Sequence, residues 1–232
     1  MSKKAAFDFI KEIPTFSQLP GDALSSLAEQ SRFASIRSGD YIAFEGSQDE
    51  ASFIVVSGRL AMTKSSMSGK DLVVQLLGPG DFFGMVLAIE KLPSQLSARA
   101  QTDAEVLWIP TEALLGVLSG HPVLYKGFVA QLSDWLHTAH KLSRGLAHDS
   151  VEVRIAALLV LLAAKFARTR DENNDPIVVD ITRQHIADLT GTTPETATRV
   201  TRSMHRTGLI EVNKPGVIIV KNLQALKKLA ES

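Results

Sequence analysis

Seven of the chain's 15 glycines fall between Gly39 and Gly84, and they cut that stretch into short apolar runs. The runs read SGDYIAFEG, FIVVSGRLAM, LVVQLLGPGDFFGM and, a little later, AEVLWIP. Brief β-branched or aromatic runs with turn signals at this spacing fit an antiparallel barrel or sandwich and little else. The phrase Gly-Asp-aromatic occurs at Gly39-Asp40-Tyr41 and again at Gly80-Asp81-Phe82. It reads as a repeated turn device, because glycine accepts a positive φ and aspartate bonds to nearby backbone.

Beyond residue 111 glycine thins and the period changes. Tyr125, Phe128, Leu132, Trp135, Ala139, Leu142 and Leu146 alternate in steps of three and four, a heptad pattern. One helix packed on its own domain would show an apolar stripe, but strict alternation fits better a seam between helices of two chains. Gly145, followed by His148-Asp149-Ser150, is expected to interrupt this helix. VEVRIAALLVLLAAKFA then restarts it, apolar nearly all round and therefore expected to be buried.

Residues 182–210 read as helix, turn, helix. Thr182 caps the first helix, with Ile186 and Leu189 on its inner face. Gly191 makes the turn, Thr193 caps the second helix and Pro194 takes its first position, where a missing amide hydrogen costs nothing. Gly208 closes it. Ala197, Val200 and Met204 share the inner face, and Glu195, Thr198, Arg199, Arg202 and Arg206 lie opposite. LIEV-NKPG-VIIV follows as a hairpin with Lys214 at its tip. Net charge is zero over the chain, yet residues 182–228 hold eight Lys or Arg against three acids. Residues 1–181 hold 17 against 21. A cationic helix with small hydroxyls and one acid suits the major groove, where arginine reads guanine and glutamate accepts from cytosine.

Several other chemistries drop out. Without cysteine there is no disulfide, iron–sulfur cluster or thiolate zinc site. No apolar run reaches the roughly 18 residues that span a bilayer, and MSKKAAFDFIKEIP is too charged for a signal peptide. A cytoplasmic protein with no membrane partner is expected. DENND lacks the mid-loop glycine and closing glutamate of a calcium loop. His148-Asp149-Ser150 are neighbours, and triads assemble from distant segments. There is no P-loop motif. A metal-dependent β-roll enzyme would need a His/Glu cluster on the strands, which is absent, so no enzyme is expected.

ITRQHIADLTGTTPETATRVTRSMHRTGLI resembles the winged helix-turn-helix of the CRP/FNR transcription regulators, and FIVVSGRLAM, LLGPGDFFG and the heptad helix fit the rest of that architecture in order. The resemblance implies an α+β chain: an antiparallel, cyclic-nucleotide-binding-like β-roll (double-stranded β-helix) over 1–120, a dimerisation helix and hinge over 121–147, and a winged helix-turn-helix over 148–232. It implies a homodimer on an inverted-repeat DNA operator, with RNA polymerase as a further partner. The DNA-facing set becomes Thr182, Arg183, Thr193, Glu195, Thr198, Arg199, Arg202, Arg206 and Lys214. Glu195 and Arg199 match the family's base-reading places, and Thr198 stands where the FNR branch has a serine. Pro194 replaces a guanine-reading arginine of the CRP branch, which argues for a TTGA-type core over TGTGA.

The family's nucleotide clasp is a Gly-Glu pair and, some ten residues later, an Arg-Ser pair. The matching places here are Gly84-Met85 and, by an ungapped match through Arg99, Ala100 and Thr102, Ser94-Gln95. The effector pocket implied is Gly84, Met85, Val86, Ser94, Gln95 and Arg99. Burying a phosphate without a counter-charge is costly, so cyclic AMP bound in the usual way is not expected, unless Lys91 or Arg99 substitutes. Haem and an apolar small molecule stay open, as does a chain without effector. The competing reading is a cyclic-nucleotide-type sensor that regulates a partner protein through its basic tail.

Overall fold

The computed structural model describes residues 3–48, 51–65, 71–85, 92–166, 177–214 and 216–231. Eight short strands follow one another in the first half: β1 Arg32–Ile36, β2 Tyr41–Ala43, β3 Ala51–Ser57, β4 Leu60–Ser65, β5 Asp71–Leu77, β6 Phe82–Phe83, β7 Ser97–Ala100 and β8 Ala104–Pro110. The repeated Gly-Asp phrase makes two of the turns between them. Gly39 and Gly80 both adopt positive φ, at 94° and 85°, and the Asp81 carboxylate accepts the Gly78 amide at 2.8 Å. The strands form two antiparallel four-stranded sheets, ordered β1-β8-β3-β6 and β2-β7-β4-β5.

The pleat decides what each sheet buries. Phe53, Val55 and Val106 point from the first sheet into a core shared with Leu60, Leu77 and Ala98 of the second. Between them, Ile54 and Leu107 point to the other face of the first sheet. That face is covered by α1 Lys3–Glu12, α2 Gly21–Gln30 and α3 Thr111–Gly120, through Ile10, Leu24, Leu27 and Leu118 among others. The first sheet is thus buried on both faces. The helices α1 and α2 are not assigned by the sequence reading, which sees no structure before about residue 33.

The chain divides into two compact units, Met1–Ala139 and His140–Ser232. The long helix α4, Leu124–His148, runs through that division. Two expectations about α4 are corrected. Gly145 does not interrupt it: the helix continues to His148, and Asp149 closes its last turn by donating its amide to the Gly145 carbonyl at 2.9 Å. Nor is the heptad set one seam. Phe128 is 2 % exposed and packs edge-on against Phe82 and Phe16, with ring centroids 4.3 and 5.9 Å away. Trp135 packs on the roll core. Facing outward instead are Tyr125, Val129, Leu132 and Leu136, with Val129 62 % and Leu136 56 % exposed, and Ala139 and Leu146 are exposed too. The Leu142 side chain lies outside the described residues. The helix has two apolar faces, and a single 3-4 count merges them.

In the second unit α5, Val151–Phe166, buries Ile155, Leu158, Leu159 and Leu162 while leaving Leu161 exposed. Helix α6 Arg183–Thr190, helix α7 Pro194–Arg206 and a three-stranded antiparallel sheet follow. That sheet is ordered β10-β11-β9, from Ile210–Lys214, Val217–Val220 and Ile177–Asp180, and α8 Leu223–Ala230 packs against α5. The DENND stretch, residues 171–175, lies outside the described residues.

Because Phe128 is core and not seam, Phe128→Ala should destabilise the fold itself by about 3–5 kcal/mol. Urea unfolding at protein concentrations that hold association constant measures this. A loss under about 1 kcal/mol would return Phe128 to the seam.

Candidate nucleic-acid interface

The two helices α6 and α7 are held by the caps that their sequence specifies. The Thr182 hydroxyl accepts the His185 amide at 3.1 Å, and Gly191 ends α6 in the left-handed conformation at φ 59°. The Thr193 hydroxyl accepts the Thr196 amide at 3.3 Å, with Pro194 opening α7. The helix ends at Arg206, with Thr207 as its cap and Gly208 at φ 73° just beyond. Ile186, Ala187 and Thr190 form the buried side of α6, while Leu189, expected there, is half-buried. Thr190 is tolerated inside because its hydroxyl donates to the Ile186 carbonyl at 2.6 Å.

Helix α7 separates its chemistry cleanly. Ala197, Val200, Thr201 and Met204 are buried, and the Thr201 hydroxyl is satisfied by the Ala197 carbonyl at 2.7 Å. On the other side Glu195, Thr198, Arg199, Arg202, His205 and Arg206 line one shallow, open surface. Thr198 is less free than its neighbours, since its hydroxyl donates to the Pro194 carbonyl at 2.7 Å. Among the described residues the ion pairs are Lys64–Glu45 and Lys221–Glu211, so no carboxylate there engages Arg199, Arg202 or Arg206. His205 was missed by the sequence reading. It stands three residues after Arg202 and seven after Thr198, a spacing that would have placed it on this face.

The electrostatics of the surface follow from position. Glu195 is held below the usual carboxylate range first by its own backbone amide at the helix start, then by the Thr193 hydroxyl. It therefore remains an ionised acceptor at neutral pH. Its contribution to stability is present above its unfolded pKa and lost as pH falls through the lower folded one. Burial, and then the nearby Arg202, lower the pKa of Arg183 on α6, so cationic groups from two helices are crowded together. On the wing, Lys221 and then Asn213 hold Glu211 low, the Lys221 Nζ lying 3.1 Å from its carboxylate. Lys214 is exposed on β10 and pairs in register with Val217 across the turn.

The first unit contains an apolar cavity of about 260 Å³. Met62, Phe82, Phe83 and Met85 line it from the roll, and Leu132 and Trp135 from α4. Gly84, Ser94, Gln95 and Leu96 complete its described wall. Four of the expected effector residues therefore meet here: Gly84, Met85, Ser94 and Gln95. Arg99 does not. It lies on β7, where its Nε donates to the Gly39 carbonyl at 2.9 Å and its guanidinium sits over the Tyr41 ring, 5.5 Å from the centroid. Val86 and Lys91 lie outside the described residues. Leu132 and Trp135, read only as seam residues, are also cavity wall.

A β-roll ahead of a winged helix-turn-helix is the architecture of a DNA-binding regulator. Residues 33–121 match the model of the cyclic nucleotide-binding domain, and residues 153–229 that of the Crp-like helix-turn-helix domain. The chain belongs to the CRP/FNR family of transcription regulators, and it is not an enzyme. It is 22 % identical over 204 residues to the CRP-like cAMP-activated global transcriptional regulator of Mycobacterium tuberculosis, covering 88 % of this chain and 91 % of that one. It is 27 % identical over 193 residues to the cyclic AMP receptor protein of Thermus thermophilus, covering 83 % and 85 %. Among solved structures it superposes on FixK2 of Bradyrhizobium japonicum with a TM-score of 0.74 at 21 % identity, over 86 % of this chain and 96 % of that one.

Loss of the α7 cap should be felt in both stability and charge. Thr193→Ala should cost about 1 kcal/mol of unfolding free energy and let the Glu195 pKa rise towards its ordinary value. Chemical denaturation together with an NMR titration of the Glu195 carboxyl carbon checks both. An unchanged Glu195 titration would show that the hydroxyl plays no part in holding the carboxylate.

Proposed function

We propose that the protein binds an inverted-repeat DNA operator as a homodimer, inserting α7 into the major groove, and that its roll does not bind cyclic AMP in the usual way. The observation that carries the reading is α7 itself. Its back is sealed into the domain, and its front offers one ionised acceptor and three arginines without carboxylate partners among the described residues. Leaving such a helix in water is sensible when its partner is a polyanion.

The residues divide by their place on the element. Glu195 and Arg199 lie in the first two turns, which enter deepest; Arg199 reads a guanine and Glu195 accepts from a cytosine amine. The Thr198 hydroxyl is committed to the Pro194 carbonyl, so its methyl group is the part offered to a base, and thymine methyl is the matching surface. Arg183 and Arg202, crowded from two helices, suit one stretch of phosphate backbone, as do Arg206 at the helix end and Lys214 on the wing. Thr182 and Thr193 present helix starts to the same backbone. A TTGA-type core follows from Pro194 standing where a further guanine reader would.

The outward stripe of α4, Tyr125, Val129, Leu132, Leu136, Ala139 and Leu146, supplies the dimer. Its 4-3 spacing and its β-branched Val129 suit a parallel pair of helices, and an apolar row that size is not left in water without a partner. Relatives named for cyclic AMP include regulators from Mycobacterium tuberculosis and Thermus thermophilus. This chain places Met85 and Ser94 at the two clasp positions that charge would need. A regulator of genomic DNA works beside that DNA, in the cytoplasm, and RNA polymerase is its natural further partner.

Selection from random DNA tests the assignment. Wild type should select half-sites with centres roughly 10–11 base pairs apart. Arg199→Ala should lose about 1–3 kcal/mol on the best site and relax preference at one base pair. Arg206→Ala or Lys214→Ala should weaken all sequences alike and lower the salt slope by about one unit. Undiminished preference in Arg199→Ala would sink the reading in favour of a sensor acting on a partner protein.

For the dimer, Leu136→Asp should shift sedimentation at micromolar concentration from dimer to monomer without changing the circular dichroism of the fold. Phe128→Ala would not serve, because that ring is core. A Leu136→Asp protein that remains dimeric would remove the stripe from the interface.

A further inference from the structure

We infer that the roll cavity is a binding site for a neutral, largely apolar molecule of one or two rings, an assignment that rests on reading the chain as an effector-controlled regulator. The cavity encloses about 260 Å³. An engineered apolar cavity of roughly 150 Å³ in another protein already takes benzene, so there is space here for somewhat more. Its described wall is mostly carbon and sulfur, from Met62, Phe82, Phe83, Met85, Leu132 and Trp135, with Ser94, Gln95 and the Trp135 indole N–H as its polar members. Three aromatic side chains and two thioethers give faces and edges for a planar guest.

The Ser94 hydroxyl and the Gln95 side-chain amide nitrogen are already committed. Ser94 donates its hydroxyl to the Leu96 carbonyl at 2.6 Å, and its backbone amide and carbonyl bond Ser47 and Gly46, each at 2.7 Å. The Gln95 amide donates to the Pro93 carbonyl at 3.3 Å. Two described cations of the roll, Lys64 and Arg99, are committed as well. Lys64 Nζ sits 2.6 Å from Glu45 and donates to the Gln95 carbonyl at 3.1 Å, and Arg99 is held by Gly39 and Tyr41. A buried anion would lose its water and gain no counter-charge from any described wall residue, whereas an apolar guest gains from leaving water. The wall also has two members on α4, and one of them, Leu132, is 37 % exposed and belongs to the outward stripe.

The test reads binding without DNA, so it stands or falls apart from the operator assignment. The chain has two tryptophans; in a Trp108→Phe protein the emission comes from Trp135 in the cavity wall. 1-Naphthylamine, neutral at about pH 7, should quench it saturably at about micromolar concentration. Its sulfonated relative 5-aminonaphthalene-1-sulfonate should bind at least about tenfold more weakly, and cyclic AMP should give no saturable change up to about millimolar. Leu96→Phe and Met62→Phe, each filling the cavity, should weaken the neutral probe about tenfold with unchanged circular dichroism; if one fails to fold, the other is read. The inference is overturned by absence of saturable quenching, by a sulfonate that binds as well as the neutral probe, by micromolar cyclic AMP binding, or by a probe indifferent to filling in the folded variants.

Discussion

The contact between Phe128 and Phe82, edge to face with centroids 4.3 Å apart, fixes how α4 sits on the first unit. Phe82 and Phe83 are consecutive on a two-residue strand, so the pleat sends them to opposite faces. Phe83 stacks on Phe53 inside the roll, centroids 4.9 Å apart, while Phe82 meets the helical layer and α4. Gln131, one turn after Phe128, donates to the Phe82 carbonyl at 2.8 Å. Once these contacts fix the rotation of α4 about its axis, Trp135 must face the roll and Val129 and Leu136 must face out. The outward stripe and the cavity wall follow from one rotation.

That geometry explains which parts were legible in the sequence. A helix carrying two apolar faces offset by one residue has more than one 3-4 reading. Tyr125, Leu132, Ala139 and Leu146 satisfy any of them, and only Phe128 and Trp135 separate the inward face from the outward one. Periodicity reports that a residue is apolar and on a helix, not which neighbour takes it. Gly145 misled for a related reason. Glycine lowers helix propensity by about 1 kcal/mol, which tertiary context overrides in a helix this long. The actual break falls at Asp149 and Ser150, where the Ser150 hydroxyl offers a competing side-chain bond by accepting the Val153 amide at 3.3 Å.

The reading domain was more legible because its signals are local. Caps, a left-handed glycine and proline at the first helical position act over three or four residues, and Thr182, Gly191, Thr193 and Pro194 behave as their chemistry dictates. The clasp lay between these extremes. Met85 and Ser94 were found by position, and both are buried. Arg99 was not, because its direction depends on strand pairing: opposite Tyr41 on β2 and Ala61 on β4, it lies on the row that alternates with the buried Ala98 and Ala100.

Separation of the two chemistries along the chain has a consequence for how such a protein can vary. The described cavity wall comes from residues 62, 82–85, 94–96, 132 and 135, and the proposed DNA face lies between residues 182 and 214. None is shared, so a clasp residue can change from charged to apolar without touching a reader. Coupling must instead pass through α4, where Leu132 is both wall and outward stripe. A guest that fills the cavity acts on Leu132 by contact alone, with no charge to relay. Its influence is therefore limited to the difference in packing it makes between two positions of that helix. An apolar effector suits that arrangement, because the rotation of α4 is itself held by apolar packing around Phe128, and interactions of the same kind and size are the ones that can compete.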